Sequence, residues 1–283
     1  MTTTQMVMLA LQVSILCTVF GFGLKATPED LTYVIRHPGL LARSITAMLL
    51  VMPVLAILAV RLLDLRHTTA VLLVTLAISP VPPLLPQRQV KGGGGRSYGL
   101  GLMAWCALLA IGIVPIWIAV LSRIFGHEFV ASPRDIARVL LVAAIAPLLA
   151  GMGVRALSPA FADRLARPVI VTASILLPVA VMAMLVDSWH AVWAAAGAGT
   201  IVALTAFIIA GLVVGDRLGQ PNADHAVVLA LSTACRHPAI ALAIASANFP
   251  GEGFAGTILL YVILNLLLGI PYLAWHRRHR SPG

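Results

Sequence analysis

The sequence predicts an all-α polytopic membrane protein with about nine transmembrane helices, two of them discontinuous. Three observations carry that expectation. Of 283 residues, 60% are hydrophobic and only 10% are charged, against about 45–50% and about 25% in soluble domains. Apolar runs long enough to cross a hydrocarbon core of about 30 Å recur along the whole chain, giving a mean hydropathy of +0.99. Two of these runs carry prolines at positions where a regular helix cannot continue. Soluble, disordered and fibrous classes are thereby excluded, and residues 1–283 read as a single membrane domain.

The first run, about 5–24, is a span rather than a cleavable leader, because no basic residue precedes its apolar core and Lys25 follows it. The second, about 44–60, is short, and the stretch from Lys25 to Arg43 before it is expected to be partly interfacial. The third, about 68–86, runs from Val71 to Ile78 into Ser79-Pro80-Val81-Pro82-Pro83-Leu84-Leu85-Pro86. Those prolines remove backbone donors and clash with the preceding turn, so the helix must break there. Gly92 to Gly95 follow as a loop.

Spans at about 97–121, 136–154, 168–186 and 190–214 come next. Single prolines (Pro53, Pro115, Pro147, Pro178, Pro271) read as ordinary kinks without function. The eighth run, about 224–249, holds Pro238 at its middle. The ring pushes His237 out of α geometry and suits the first turn of a new helix. Two half-helices are expected, about 224–234 and 238–248, meeting at Cys235-Arg236-His237. The ninth span, about 254–275, leads into a basic tail over 277–283.

An odd number of spans puts the termini on opposite sides. With the C-terminus inside, cytoplasmic loops hold Lys25, Arg36, Arg43, Arg88, Lys91, Arg96, Arg155, Arg164, Arg167, Arg217, Arg277, Arg278 and Arg280. The outer loops hold only Arg61, Arg66, Arg123, Arg134 and Arg138. The positive-inside rule therefore places the N-terminus outside and the C-terminus in the cytoplasm of a cell-membrane protein. The same bias explains a net charge of +9, and the scatter of basic residues among loops speaks against nucleic acid as a partner. Cys17, Cys106 and Cys235 lie apart in apolar runs and form neither a disulfide framework nor a metal spacing.

Breaks in two spans five apart, one in each half, match the way secondary transporters place substrate at discontinuous helices near the midplane. Irregular backbone at that depth is tolerated only where protein buries it or a cavity lines it. Of all the charges, Arg236 alone is expected well inside a span. All ten acids (Glu29, Asp30, Asp64, Glu128, Asp135, Asp163, Asp187, Asp216, Asp224, Glu252) fall in loops or at span ends. A mid-span arginine costs at least about 2.5–3.5 kcal/mol on insertion scales, which makes it a functional candidate.

Two roles are open to it. It caps the carbonyls of the first half-helix, or it forms an anion site with the helix N-terminus at Pro238, where dipole and charge reinforce each other. Ser232, Thr233 and His237 flank the break. The hydroxyls more commonly bond their own helix, whereas His237 suits either a proton carrier or a neutral lining group. Ser79, Asn265, Asn248 and Gln12 are further polar groups within spans, more often helix–helix contacts than ligand contacts. No phosphate-binding loop, zinc-helix motif or nucleophile elbow occurs, so neither an enzyme nor a cofactor is expected.

Phe20-Gly21-Phe22-Gly23-Leu24-Lys25, Arg36-His37-Pro38 and Val51-Met52-Pro53 resemble the opening of the bile acid:sodium symporter family, within the bile/arsenite/riboflavin transporter superfamily. Leu76-Ala77-Ile78-Ser79-Pro80 and Ser232 to Ala245 are similar to its two discontinuous helices. The resemblance implies two inverted repeats (about 1–125 and 132–276), with the broken helices crossing and the first helix of the family pattern missing. It also implies departures. Where sodium-coupled members carry Glu-Thr-Gly-x-Gln-Asn, this chain has Ser232, Thr233, Ala234, Cys235, Arg236 and His237. Leu85 and Pro86 stand where a Ser-Asn ligand pair is expected, and Met48 where a ligand Gln is expected.

A sodium site needs hard oxygen donors, preferably a carboxylate; this one has lost the carboxylate and gained a cation. The expected function is secondary transport of a small organic anion without conventional sodium coupling. The alternative is a non-transporting membrane sensor or binding protein on the same scaffold.

Overall fold

A computed structural model describes residues 3–126, 129–130 and 132–279. Glu128 and Arg280, assigned above to a loop and to the basic tail, lie outside the described residues. Thirteen helices follow one another, with no strand among the described residues. α1 (Thr3–Gly23) turns through 84° into α2 (Pro28–Arg36). α3 (Pro38–Leu62), α4 (His67–Ile78), α5 (Leu85–Lys91) and α6 (Arg96–Phe125) complete the first half. The second half holds α7 (Pro133–Leu157), α8 (Pro159–Asp187), α9 (Trp189–Ala195), α10 (Ala198–Gly219), α11 (Ala223–Ala234), α12 (Pro238–Asn248) and α13 (Phe254–His279).

Seven helical segments, counting α11 with α12 as one, are long and apolar enough to cross a membrane, or up to eight if the bent α1–α2 pair is one span. The expected nine is not reached on this measure. The third run supplies only the twelve residues of α4 before its prolines end the helix. The second run is longer than expected, because Pro38 opens α3 at its first turn and the helix carries Arg43 and Ser44 with it. The seventh begins late: α9 stops at Ala195 and α10 starts at Ala198.

Contacts between loops sort them into two ends. At one end Arg155 donates to Leu24 O, Arg43 to Gln220 O, and Tyr33 hydroxyl pairs with His225. At the other Arg66 donates to Ala194 O, His67 pairs with Glu252, and Asn248 bonds Val130.

Two bundles result. α1 packs on α7 and α8 through glycines: a Cβ on Gly23 would lie 2.2 Å from Leu148 O, and one on Gly151 2.3 Å from Phe20 O. The larger bundle gathers α3 to α6 and α10 to α13 around one apolar core. Val19, Leu100, Met103 and Leu148 join the two along α6. Within the larger bundle Gly211, Gly215 and Gly219 of α10 meet Ala234, Ala230 and Ala226 of α11. Gly92 to Gly95 are no slack loop. Gly93 takes a φ of 91°, and side chains on Gly92 or Gly94 would strike Leu273 and Val228. The turn therefore lets α5 and α6 seat against α11 and α13.

A membrane crossing of broken helices

The two discontinuities meet. α4 ends at Ile78 and α5 begins at Leu85, whereas α11 ends at Ala234 and α12 begins at Pro238. His237 N–H donates to Pro80 O at 2.9 Å, joining one break to the other.

Arg236 is fully buried at this point. Its guanidinium does not cap its own half-helix, as one of the two expected roles held. Nη1 donates to Ser79 O at 3.3 Å and Nη2 to Met48 O at 2.5 Å. Ser79 O is free because the chain leaves α4 there. Met48 O is free for a different reason. Residues Thr46–Val51 form a π-helical segment, Met52 N–H reaches back to Ala47 O, and Pro53 has no N–H to offer. Pro53, read above as an ordinary kink, thus helps expose the carbonyl that Arg236 holds.

A second set of bonds closes the break. Arg236 N–H donates to the Tyr261 hydroxyl at 2.7 Å, which donates to Ala234 O at 3.0 Å. Asn265 Nδ2 donates to the same carbonyl, and Asn265 Oδ1 accepts from Arg88 at 3.1 Å. Arg88 is accordingly no loop residue: α5 carries it, half-buried, into contact with the middle of α13. Ser232 Oγ accepts from Gln89 Nε2 at 2.8 Å, and the same amide donates to Val228 O. The Thr233 hydroxyl turns back to Leu229 O and the Ser79 hydroxyl to Thr75 O. Asn248 sits at one end of the bundle and Gln12 is exposed on α1, both away from the crossing.

Arg236, His237, Ser79, Ser232, Thr233 and Asn265, expected at the site from the sequence, all lie at or beside the crossing. Tyr261, Gln89, Arg88 and the backbone carbonyl of Met48, whose side chain alone was weighed above, were not expected there. Tyr261 is testable on its own. With Phe at this position the buried Arg236 N–H has no acceptor, and thermal unfolding in detergent should show a loss of about 1–3 kcal/mol.

Among the described residues, three buried polar atoms at adjacent positions have no partner: Arg236 Nε and both ring nitrogens of His237. They lie at the N-terminus of the eleven-residue α12, where the helix dipole favours an anion. Among the described residues no acid pairs with Arg236.

Discontinuous helices that meet at their breaks in a polytopic bundle recur in transporter folds. Residues 12–195 match the family model described as Sodium Bile acid symporter family. That is more than half of the chain, and the chain belongs to this family. The match includes the first broken helix and ends before α10, so Arg236 and the second broken helix lie beyond it. No curated protein matches the sequence.

Proposed function

We propose that this chain is a carrier of small organic anions in the cell membrane, and that it works without a sodium ion. The N-terminus faces outward and the C-terminus faces the cytoplasm, with the two halves (about 1–125 and 132–276) acting as inverted repeats. The observation that carries the reading is a fully buried guanidinium, without an acidic partner among the described residues, placed between two broken helices.

The charge at the crossing supports the absence of sodium coupling. Met48 O, Ser79 O, Pro80 O, Ala234 O, Val228 O and Ser232 Oγ each already receive an N–H or O–H, whereas Gln89 Oε1 is buried without a partner among the described residues. A cation there would also meet Arg236. At about 4 Å and an effective dielectric near 20, two unit charges repel by about 4 kcal/mol, close to a thousandfold in affinity. Arg236 supplies permanently the positive charge that an ion would bring. Its Nε and the His237 ring are left to meet the anionic group of the substrate.

The experiment is a ligand screen followed by flux. Carboxylates, sulfonates and steroid acids are tested for a rise in melting temperature of the purified chain, and those that bind are tested for uptake into proteoliposomes. Binding with uptake supports the carrier. Binding without uptake in either direction contradicts it and leaves a sensor on the same scaffold.

A further inference from the structure

A cavity of about 330 Å³ opens at the loop end that carries His67 and Glu252, apart from the crossing. Val71, Val74 and Thr75 of α4 form one wall, and Phe125, Phe129 and Phe249 the other. The rings are arranged edge to face, Phe129 lying 5.8 Å from Phe249 and 6.4 Å from Phe125. The wall is almost wholly apolar. Its one hydroxyl, on Thr75, is already donated to Leu72 O. Charged groups stand beside the lining residues. Arg61, next to the lining residue Val60, lies 5.3 Å from the centre of the Phe125 ring and donates to Ile124 O. His67 packs edge-on against Phe249 and pairs with Glu252 at 2.9 Å. No described acid pairs with Arg61.

We propose that this cavity is a second binding site, which takes the compact apolar body of an organic acid while the acid group rests at Arg61. Its volume is at the lower end of the range for small-molecule pockets, about 300–1,000 Å³, so a body of one or two rings fills it. Aromatic walls favour a flat ring over a flexible chain, through stacking and edge contacts that add to burial. The occupant is thus a ring-bearing carboxylate. Thr75 lies one turn before Ser79, whose carbonyl Arg236 holds, or about 6 Å along the helix. The cavity is therefore a loading station ahead of the crossing. That role rests on the carrier reading. The binding itself does not, and the test reads binding alone.

The test is equilibrium binding of 1-naphthoate to the purified full chain in detergent, with benzoate, hexanoate and cholate as competitors. Saturable binding is expected, with benzoate competing and hexanoate at least tenfold weaker than naphthoate. Val74→Trp fills the cavity and should weaken binding at least tenfold. Ala70, a further lining residue of α4, offers a smaller change in case the larger one prevents folding: Ala70→Leu narrows the same wall and should weaken binding severalfold. Arg61→Gln should cost about tenfold without altering the melting temperature. The proposal is overturned if no saturable binding is found, if cholate competes as well as benzoate, or if a co-purified acyl lipid fills the cavity and naphthoate fails to displace it. It is also overturned if binding falls with Arg236→Gln but not with the cavity variants. That last result puts the ligand at the crossing and leaves the carrier reading intact.

Discussion

Arg236→Gln lowers organic-anion uptake by tenfold to a hundredfold while the protein still inserts and folds. The two halves of that result have different causes. A charge-assisted hydrogen bond to the substrate is worth about 1.5–3 kcal/mol, and each 1.4 kcal/mol is tenfold in affinity. Stability responds to opposing terms. Gln still reaches one of the two carbonyls, so one of Met48 O and Ser79 O is orphaned, at a cost of about 1–3 kcal/mol. Removal of a mid-membrane arginine returns about 2.5–3.5 kcal/mol on insertion scales. The two nearly cancel, so flux falls while the melting temperature moves little. Arg236→Lys keeps the charge but loses the planar fork. It should recover part of the uptake, which separates a requirement for charge from a requirement for geometry. Initial uptake rates and thermal melting of all three proteins check this.

Gly215→Leu abolishes the folded carrier. A Cβ at Gly215 would lie 2.4 Å from Ala230 Cα and 2.5 Å from Leu229 O, both backbone atoms that cannot rotate aside. Gly211 and Gly219 make the same demand one turn to either side. In a bilayer, small residues drive helix association by permitting this close approach. α11 is the half-helix that presents Ala234 O and Arg236, so displacing it breaks the crossing as well. Even Gly215→Ala should cost more than the about 1–3 kcal/mol typical of overpacking. Gly199, on the same helix with open space around it, is the control: Gly199→Ala should be neutral or add about 0.4–1 kcal/mol. Detergent melting and size-exclusion profiles distinguish the three.

The positions of the breaks were legible because proline acts locally. Pro238 dictates where α12 starts, and Pro80 to Pro86 dictate where α4 ends. Arg236 was legible because a charge inside an apolar run is anomalous whatever the fold. Apart from Ser79, its partners were not. Met48 O is a backbone atom in an apolar stretch, exposed by a π-helical register that no side-chain pattern encodes. Tyr261 and Gln89 act across sequence separations of 25 and 143 residues, and each looks like an ordinary span or loop residue. Arg88 was read as a loop cation because the prolines before it and the glycines after it hide the seven-residue helix that carries it. Short helices give too few residues for a periodic signal, and span counting from hydropathy fails on the same segment.

Arg236 provides the charge for which a sodium-coupled carrier needs an ion. Initial uptake of a bound anion into proteoliposomes, under an inward sodium gradient and with choline in its place, should therefore proceed at rates within about twofold of each other, since two charges about 4 Å apart repel by about 4 kcal/mol. A tenfold or greater stimulation by sodium would show instead that an ion shares the site with Arg236.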